Sequence, residues 1–365
     1  MSEWQTFCLK DLGKIVGGAT PPTNNPKNYG NKIAWITPKD LSTLQGRYIK
    51  KGSRSISRLG FKSCSCVLLP KHAILFSSRA PIGYVAIAKK RLCTNQGFKS
   101  IIPNKKIYFE FLYYLLKYHK DNISNIGGGT TFKEVSGATL GLFEVKIPPT
   151  YYEQQKIART LSILDQKIEN NHKINELLHT LAYKIYEYYF KYKPKNAKLE
   201  QIIIENPKSS IMVKNAQKTQ DKYPFFTSGD NILSYPKAII DGRNCFLNTG
   251  GNAGIKFYVG KASYSTDTWC IGANEFSDYL YLLLSSIKNH INQSFFQGTS
   301  LKHLQKNLLK KYPIYMPSVH EIKKFNQIIM PLLTLISINT RTSKKLEQIR
   351  DFLLPLLLKQ QVKPQ

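Results

Sequence analysis

Acidic side chains are scarce in this 365-residue sequence: 23 Asp+Glu stand against 53 Lys+Arg, leaving a net charge of +30. Cysteine is sparse too. The six (Cys8, Cys64, Cys66, Cys93, Cys245, Cys270) form no C-x-x-C pair, and the seven histidines have no metal-ligand spacing. That reads as reduced thiols in a cytoplasmic protein with no metal site. Met1 to Leu12 lacks the charged-then-apolar layout of a signal peptide. The longest apolar stretch, Ile328 to Ile338, is too short to span a bilayer and contains Pro331, so no membrane is expected. With 42% hydrophobic and 21% charged residues, the chain is neither disordered, nor collagen-like, nor a disulfide scaffold.

What is present begins with charge. Residues 1–150 carry 23 basic and 7 acidic residues, so about half the excess lies in the first two-fifths of the chain. An excess this large opposes compaction by self-repulsion, and a polyanion is its natural compensation. Nucleic acid is the first candidate, an anionic membrane surface the second.

The sequence also nearly repeats itself. Pro149-Thr150-Tyr151-Tyr152-Glu153 reads as a capping box, and Pro317-Ser318-Val319-His320-Glu321 repeats it 168 residues later. Each cap opens a long amphipathic stretch with alternating four- and three-residue steps. The first stripe holds Ile157, Leu161, Leu164, Ile168, Asn171, Leu178 and Ile185; the second holds Phe325, Ile329, Leu332, Ile336, Asn339, Leu346 and Leu353. This is the seam of a coiled coil. Each helix of roughly 37 residues would be about 55 Å long, and the other copy is its nearest cover. The polar break at Asn171 recurs as Asn339, and pairing across the seam would fix its register. Pro331 is expected to kink or break the second helix.

The blocks before the helices repeat more loosely. Trp35-Ile36-Thr37-Pro38-Lys39-Asp40 is echoed by Phe225-Phe226-Thr227-Ser228-Gly229-Asp230, and Gly129-Thr130-Thr131-Phe132-Lys133 by Gly298-Thr299-Ser300-Leu301-Lys302. Between them, Ser77-Ser78-Arg79 corresponds to Asn248-Thr249-Gly250, and Thr94-Asn95-Gln96-Gly97-Phe98 to Ser265-Thr266-Asp267-Thr268-Trp269. The first block carries a surplus, mostly between residues 41 and 75. Runs at 73–76, 84–88, 239–247 and 256–259 predict strands; 108–118 and 277–290 predict short helices. The fold class expected is α+β: two similar mixed α/β recognition domains, mostly antiparallel, separated by two long antiparallel coiled-coil helices. The boundaries are a first domain at 1–149, a helix at 150–190 and a linker at 191–198. A second domain at 199–317, a helix at 318–358 and a tail at 359–365 complete the chain.

This layout resembles the specificity subunit of Type I restriction–modification systems. The residues that carry it are Leu12-Gly13-Lys14-Ile15-Val16-Gly17-Gly18-Ala19-Thr20-Pro21, Gly129-Thr130-Thr131-Phe132-Lys133, Ile147-Pro148-Pro149 with Glu153-Gln154-Gln155-Lys156-Ile157-Ala158, and 346–355. The resemblance implies that each recognition domain binds one half of a bipartite double-stranded DNA target. It further implies that the helices space the halves and hold two modification (methyltransferase) subunits. Restriction (translocase/endonuclease) subunits would join them, with S-adenosylmethionine, ATP and Mg on those partners and no cofactor on this chain. The sequence departs from the pattern at Pro331 and at His320-Glu321-Ile322, so the second helix is expected to start late or bend.

Catalytic motifs are missing: no Asn/Asp-Pro-Pro-aromatic tetrapeptide, no Gly-Lys-Ser/Thr after Gly127-Gly128-Gly129, no triad. The chain reads as a non-catalytic reader. A stand-alone nucleic-acid-binding or scaffold protein, and a methyltransferase, are the rival classes. Phosphate contacts suit Lys50-Lys51, Lys89-Lys90-Arg91, Lys105-Lys106 and Lys310-Lys311. Base reading needs polar side chains on loops. The candidates are Ser77, Ser78, Arg79, Asn95, Gln96, Thr130 and Lys133 in the first domain, and Asn248, Asn252, Thr266, Asp267, Thr299 and Lys302 in the second. Phe98 and Trp269 read as core aromatics.

Overall fold

The computed structural model describes residues 3–129, 133–216 and 222–364. They form two compact units: unit 1 is Met1–Glu169 with Lys345–Gln365, and unit 2 is Asn170–Lys344. Among the described residues no helix is long and apolar enough to cross a membrane.

Unit 1 is built on a five-stranded sheet of β1 (Gly13–Gly17), β2 (Tyr48–Ile49), β3 (Ile74–Phe76), β4 (Val85–Ala88) and β5 (Lys99–Pro103), in the order β1-β5-β3-β4-β2. All neighbours are antiparallel except β2 and β4. Helix α1 (Phe109–Asn125) buries Phe111, Leu112, Leu115 and Leu116 in one cluster with Ile74, Phe76, Ile87 and Ile101 from the sheet. Ile157, Leu161, Leu354 and Leu357 from the long helices join that cluster.

The repeat is visible in unit 2. Strands β6 (Ile204–Glu205), β7 (Arg243–Asn248), β8 (Ile255–Val259) and β9 (Thr268–Gly272) form a fully antiparallel sheet in the order β6-β9-β7-β8. Its β9-β7-β8 core matches β5-β3-β4. The looser echo holds at residue level: Trp35 and Ile36 pair in parallel with Cys93 and Thr94, as Phe225 and Phe226 do with Ser263 and Tyr264. Three predicted elements change. The helix expected over 108–118 runs from Phe109 to Asn125. The strand expected from Ile239 starts at Arg243, after Gly242 turns the chain at φ +94°. The helix expected over 277–290 divides at Ile287 into α3 (Ser277–Ser286) and a short Lys288–Ser294 helix.

Both long helices start at their predicted caps. In α2 (Tyr151–Tyr186), the Glu153 amide donates to Thr150 Oγ1 at 3.2 Å. In α4 (Val319–Leu358), the Glu321 amide donates to Ser318 Oγ at 3.3 Å, and Glu321 Oε2 accepts from the Ser318 amide at 2.9 Å. The expected late start of the second helix is therefore wrong. The capping glutamate is kept, and Ile322 is buried against the unit 2 core. Pro331 does not break α4 either. It removes one intrahelical bond, but its ring lies on the exposed face while Phe325, Ile329 and Leu333 hold the other face in the core.

Within unit 2 the helices run antiparallel: Asn171 Nδ2 donates to Ser343 Oγ at 3.1 Å, and Asn339 Nδ2 to Asn175 Oδ1 at 2.9 Å. Asn171 and Asn339 thus cross the seam, but to Ser343 and Asn175 rather than to each other, because antiparallel register opposes 171 to 343. Of the predicted stripe, Ile157, Leu161, Ile168, Phe325, Ile329 and Ile336 are buried. Leu164, Leu178, Ile185, Leu332, Leu346 and Leu353 are half-buried, and Leu333 and Leu354 take the central places beside them.

The sheet-bearing block of each unit is tied to a long helix by an arginine. In unit 1, Arg47 is 3% exposed and meets Glu110 of α1 at 3.0 Å and Glu169 of α2 at 3.1 Å. Asp165 of α2 accepts from Tyr114 at 2.5 Å and from Arg350 of α4 at 2.7 Å. In unit 2, Arg243 is bonded to Asp278 of α3 and donates to Thr334 of α4 at 2.9 Å. Asp278 lies 168 residues after Glu110, each in the first turn of its helix. The acid is repeated; the arginine comes from a different place in each copy.

Candidate nucleic-acid interface

In unit 1, Ser77 follows the end of β3 at Phe76, and the chain turns back through Pro81 to β4. The Ser77 hydroxyl closes that turn, accepting from the Tyr84 amide and donating to Pro81 O, both at 2.8 Å. The Ser78 amide donates to Gly97 O at 2.8 Å, and Ser78 O accepts from the Val135 amide at 3.0 Å. Backbone bonds therefore bring three separated segments, 77–79, 95–97 and 133–135, to one rim. A fourth joins them, since the Ala19 amide donates to Thr94 O at 3.0 Å and Thr20 Oγ1 to Gln96. Gly18 permits the approach: a Cβ there would meet Asn95 O at 2.0 Å.

Three side chains on this rim are cationic. Arg79 and Lys99 flank Glu134 at 3.6 and 3.4 Å, and Lys133 is exposed beside it. Gln96 is exposed and Asn95 half-buried, with its Oδ1 spent on the Gly97 amide at 3.0 Å. Two candidates do not belong to a reading set. Ser77 and Ser78 are fully buried, so neither hydroxyl faces a ligand; in sequence a polar residue near a turn looks the same whether it points in or out. Thr130 lies outside the described residues. Thr20, Lys99 and Glu134 were not among the sequence candidates; the convergence of loops brings them beside those candidates.

Unit 2 repeats the wiring. The Asn248 amide donates to Gly254 O at 2.9 Å, as the Ser77 amide does to Tyr84 O. The Thr249 amide donates to Asp267 O at 3.2 Å, and Thr249 O accepts from the Leu304 amide at 3.0 Å. The Gly251 amide donates to Lys302 O at 2.9 Å. Asn252, Thr266, Thr299 and Lys302 are exposed on this rim, and Asp267 is half-buried with its carboxylate bonded to Ser265. Asn248 is the exception. It is buried, donating to Asn252 O at 3.1 Å and accepting from Lys256 Nζ at 3.1 Å, so it shapes the loop from beneath. Lys256 also donates to Thr227 O at 2.9 Å, and burial pushes its ammonium below the ordinary lysine value.

Of the expected phosphate contacts, Lys310 is engaged by Glu205, whose carboxyl that bond holds below the usual range. Phe98 and Trp269 are buried. A second kind of surface lies on the helices: in unit 2, α2 exposes Ile174, Leu177 and Leu181, and α4 exposes Ile328, Leu335 and Ile338.

Comparisons with known proteins agree in kind. The family model described as "Type I restriction modification DNA specificity domain" matches residues 1–180 and 195–348. The chain is 33% identical to the Type I restriction enzyme MjaIX specificity subunit of Methanocaldococcus jannaschii, over 98% of this chain and 93% of that one. It is 30% identical to the HindI specificity subunit of Haemophilus influenzae over 46% of this chain and 37% of that one. The fold is that of the crystal structure of the Type-I restriction-modification system S subunit from M. genitalium, with a TM-score of 0.63 at 17% identity, covering 97% of this chain and 96% of that chain.

Proposed function

This chain belongs to the Type I restriction–modification DNA specificity family, and from that premise we propose that its two loop rims read the two halves of a split DNA target. The observation that carries the reading is the repeated wiring of the rims. Each gathers three distant segments by corresponding main-chain bonds, while the outward side chains differ between the copies. Arg79, Gln96 and Lys133 serve the first half-site; Asn252, Thr266, Thr299 and Lys302 serve the second. Arg suits guanine and Asn or Gln adenine, while lysines anchor phosphates.

The exposed apolar residues of α2 and α4 are, on this reading, where modification subunits sit. An unpartnered apolar stripe on a helix is an interaction surface. Methyl transfer and cleavage then fall to the partner polypeptides, which carry S-adenosylmethionine, ATP and Mg, and this chain contributes recognition alone, in the cytoplasm.

The experiment is a domain exchange. Replacing residues 1–149 with the corresponding domain of another family member, then sequencing methylated DNA from the host, is expected to change one half of the motif and leave the other intact. A change in both halves together would sink the modular reading.

A further inference from the structure

The ends of the unit 1 sheet are chemically distinct. Strand β3 runs toward the rim at Ser77, and antiparallel β4 runs away from it to Lys89. Because β2 is parallel to β4, with Ile49 opposite Ala88, Lys50 leaves the sheet at the same far end as Lys89. The Lys89 amide donates to Ile49 O at 2.9 Å, and the His72 amide to Ala88 O at 2.8 Å, which brings Lys71 there as well. Lys50, Lys51, Lys71, Lys89, Lys90 and Arg91 therefore gather opposite the reading rim. All six are exposed, and among the described residues none is ion-paired.

Like charges held together repel, and the nearest acids are engaged elsewhere: Asp40 accepts from the Ser53 amide at 2.7 Å, and Glu110 from Arg47 at 3.0 Å. Its segments also expose no large apolar side chain, the usual centre of a protein–protein contact. Five of the six are lysines, which bind phosphate as point charges without selecting a base. We propose that this patch is a second DNA contact, gripping backbone phosphates outside the sequence read by the first rim. Three strand residues, about 10 Å at roughly 3.3 Å each, separate the two ends. The patch thus meets other phosphates than those framing the read bases. The proposal rests on unit 1 being a duplex reader.

The test uses the chain assembled with its modification subunits and a variant carrying Lys50→Ser, Lys51→Ser, Lys89→Ser, Lys90→Ser and Arg91→Ser. Affinity is measured against salt on target duplexes with about 10 or about 30 base pairs of flank, where each phosphate contact contributes about 0.9 to the log–log slope. The wild type should gain affinity from the longer flank. The variant should lose that gain, with its slope on the long duplex lowered by about three to four, while short-duplex binding and target preference stay unchanged. An unchanged slope on the long duplex makes the patch a solvated surface and overturns the proposal. Equal loss on the short duplex assigns it to the read half-site, and failure to assemble assigns it to a protein partner; either overturns it. A wild type with no target preference indicts the reader assignment instead, and the flank comparison still decides the patch.

Discussion

At the scale of single residues, Arg47 has the most at stake. It is buried among Glu110, Asp165 and Glu169, at 3.0, 3.9 and 3.1 Å. Removing one member of a buried ionic group leaves uncompensated charge, which costs about 3–5 kcal/mol. Arg47→Met should lower unfolding free energy by that order in urea titration, and adding Glu169→Gln should recover part of it. Full stability in the single variant would mean that water reaches the carboxylates. Nothing in the sequence marks Arg47. It lies in the surplus segment of the first block, and its partners stand 63 and 122 positions away. By contrast Ser77 and Asn248 stand out in the sequence yet are buried, because polarity near a turn says nothing about which way a side chain faces.

At the scale of elements, the helices were legible and the loops only partly so. Caps and stripes are local patterns: Thr150 with Glu153 and Ser318 with Glu321 announce their helices within four residues. The antiparallel strand core was legible through alternation and glycine turns. Which loops meet was not, since that depends on backbone bonds such as Val135 to Ser78, between residues remote in sequence. Pro331 shows local logic overruled. One lost bond on an exposed face is outweighed by the buried Phe325, Ile329 and Leu333. Substituting alanine there restores the missing N–H without touching the core. Pro331→Ala should therefore raise stability by about 1–3 kcal/mol, read as a higher denaturation midpoint. A loss of stability would show that the proline is needed where it stands.

For the molecule as a whole, the +30 charge governs how it meets its target. Counterion release should make DNA affinity fall by about a thousandfold or more between roughly 50 and 200 mM salt if six or more phosphates are engaged. Preference for the target over unrelated duplex should survive better, because base contacts release few ions. A salt-independent affinity would mean that the basic excess is spent elsewhere.

The paired rims carry one more implication. Their frames are fastened by main-chain amides and carbonyls and by a few buried side chains such as Ser77 and Asn248, so the outward letters can be rewritten without rebuilding the page. A lineage carrying such a scaffold can acquire a new address on the genome through a handful of point changes or one exchanged domain-sized block, while everything that assembles around it stays untouched.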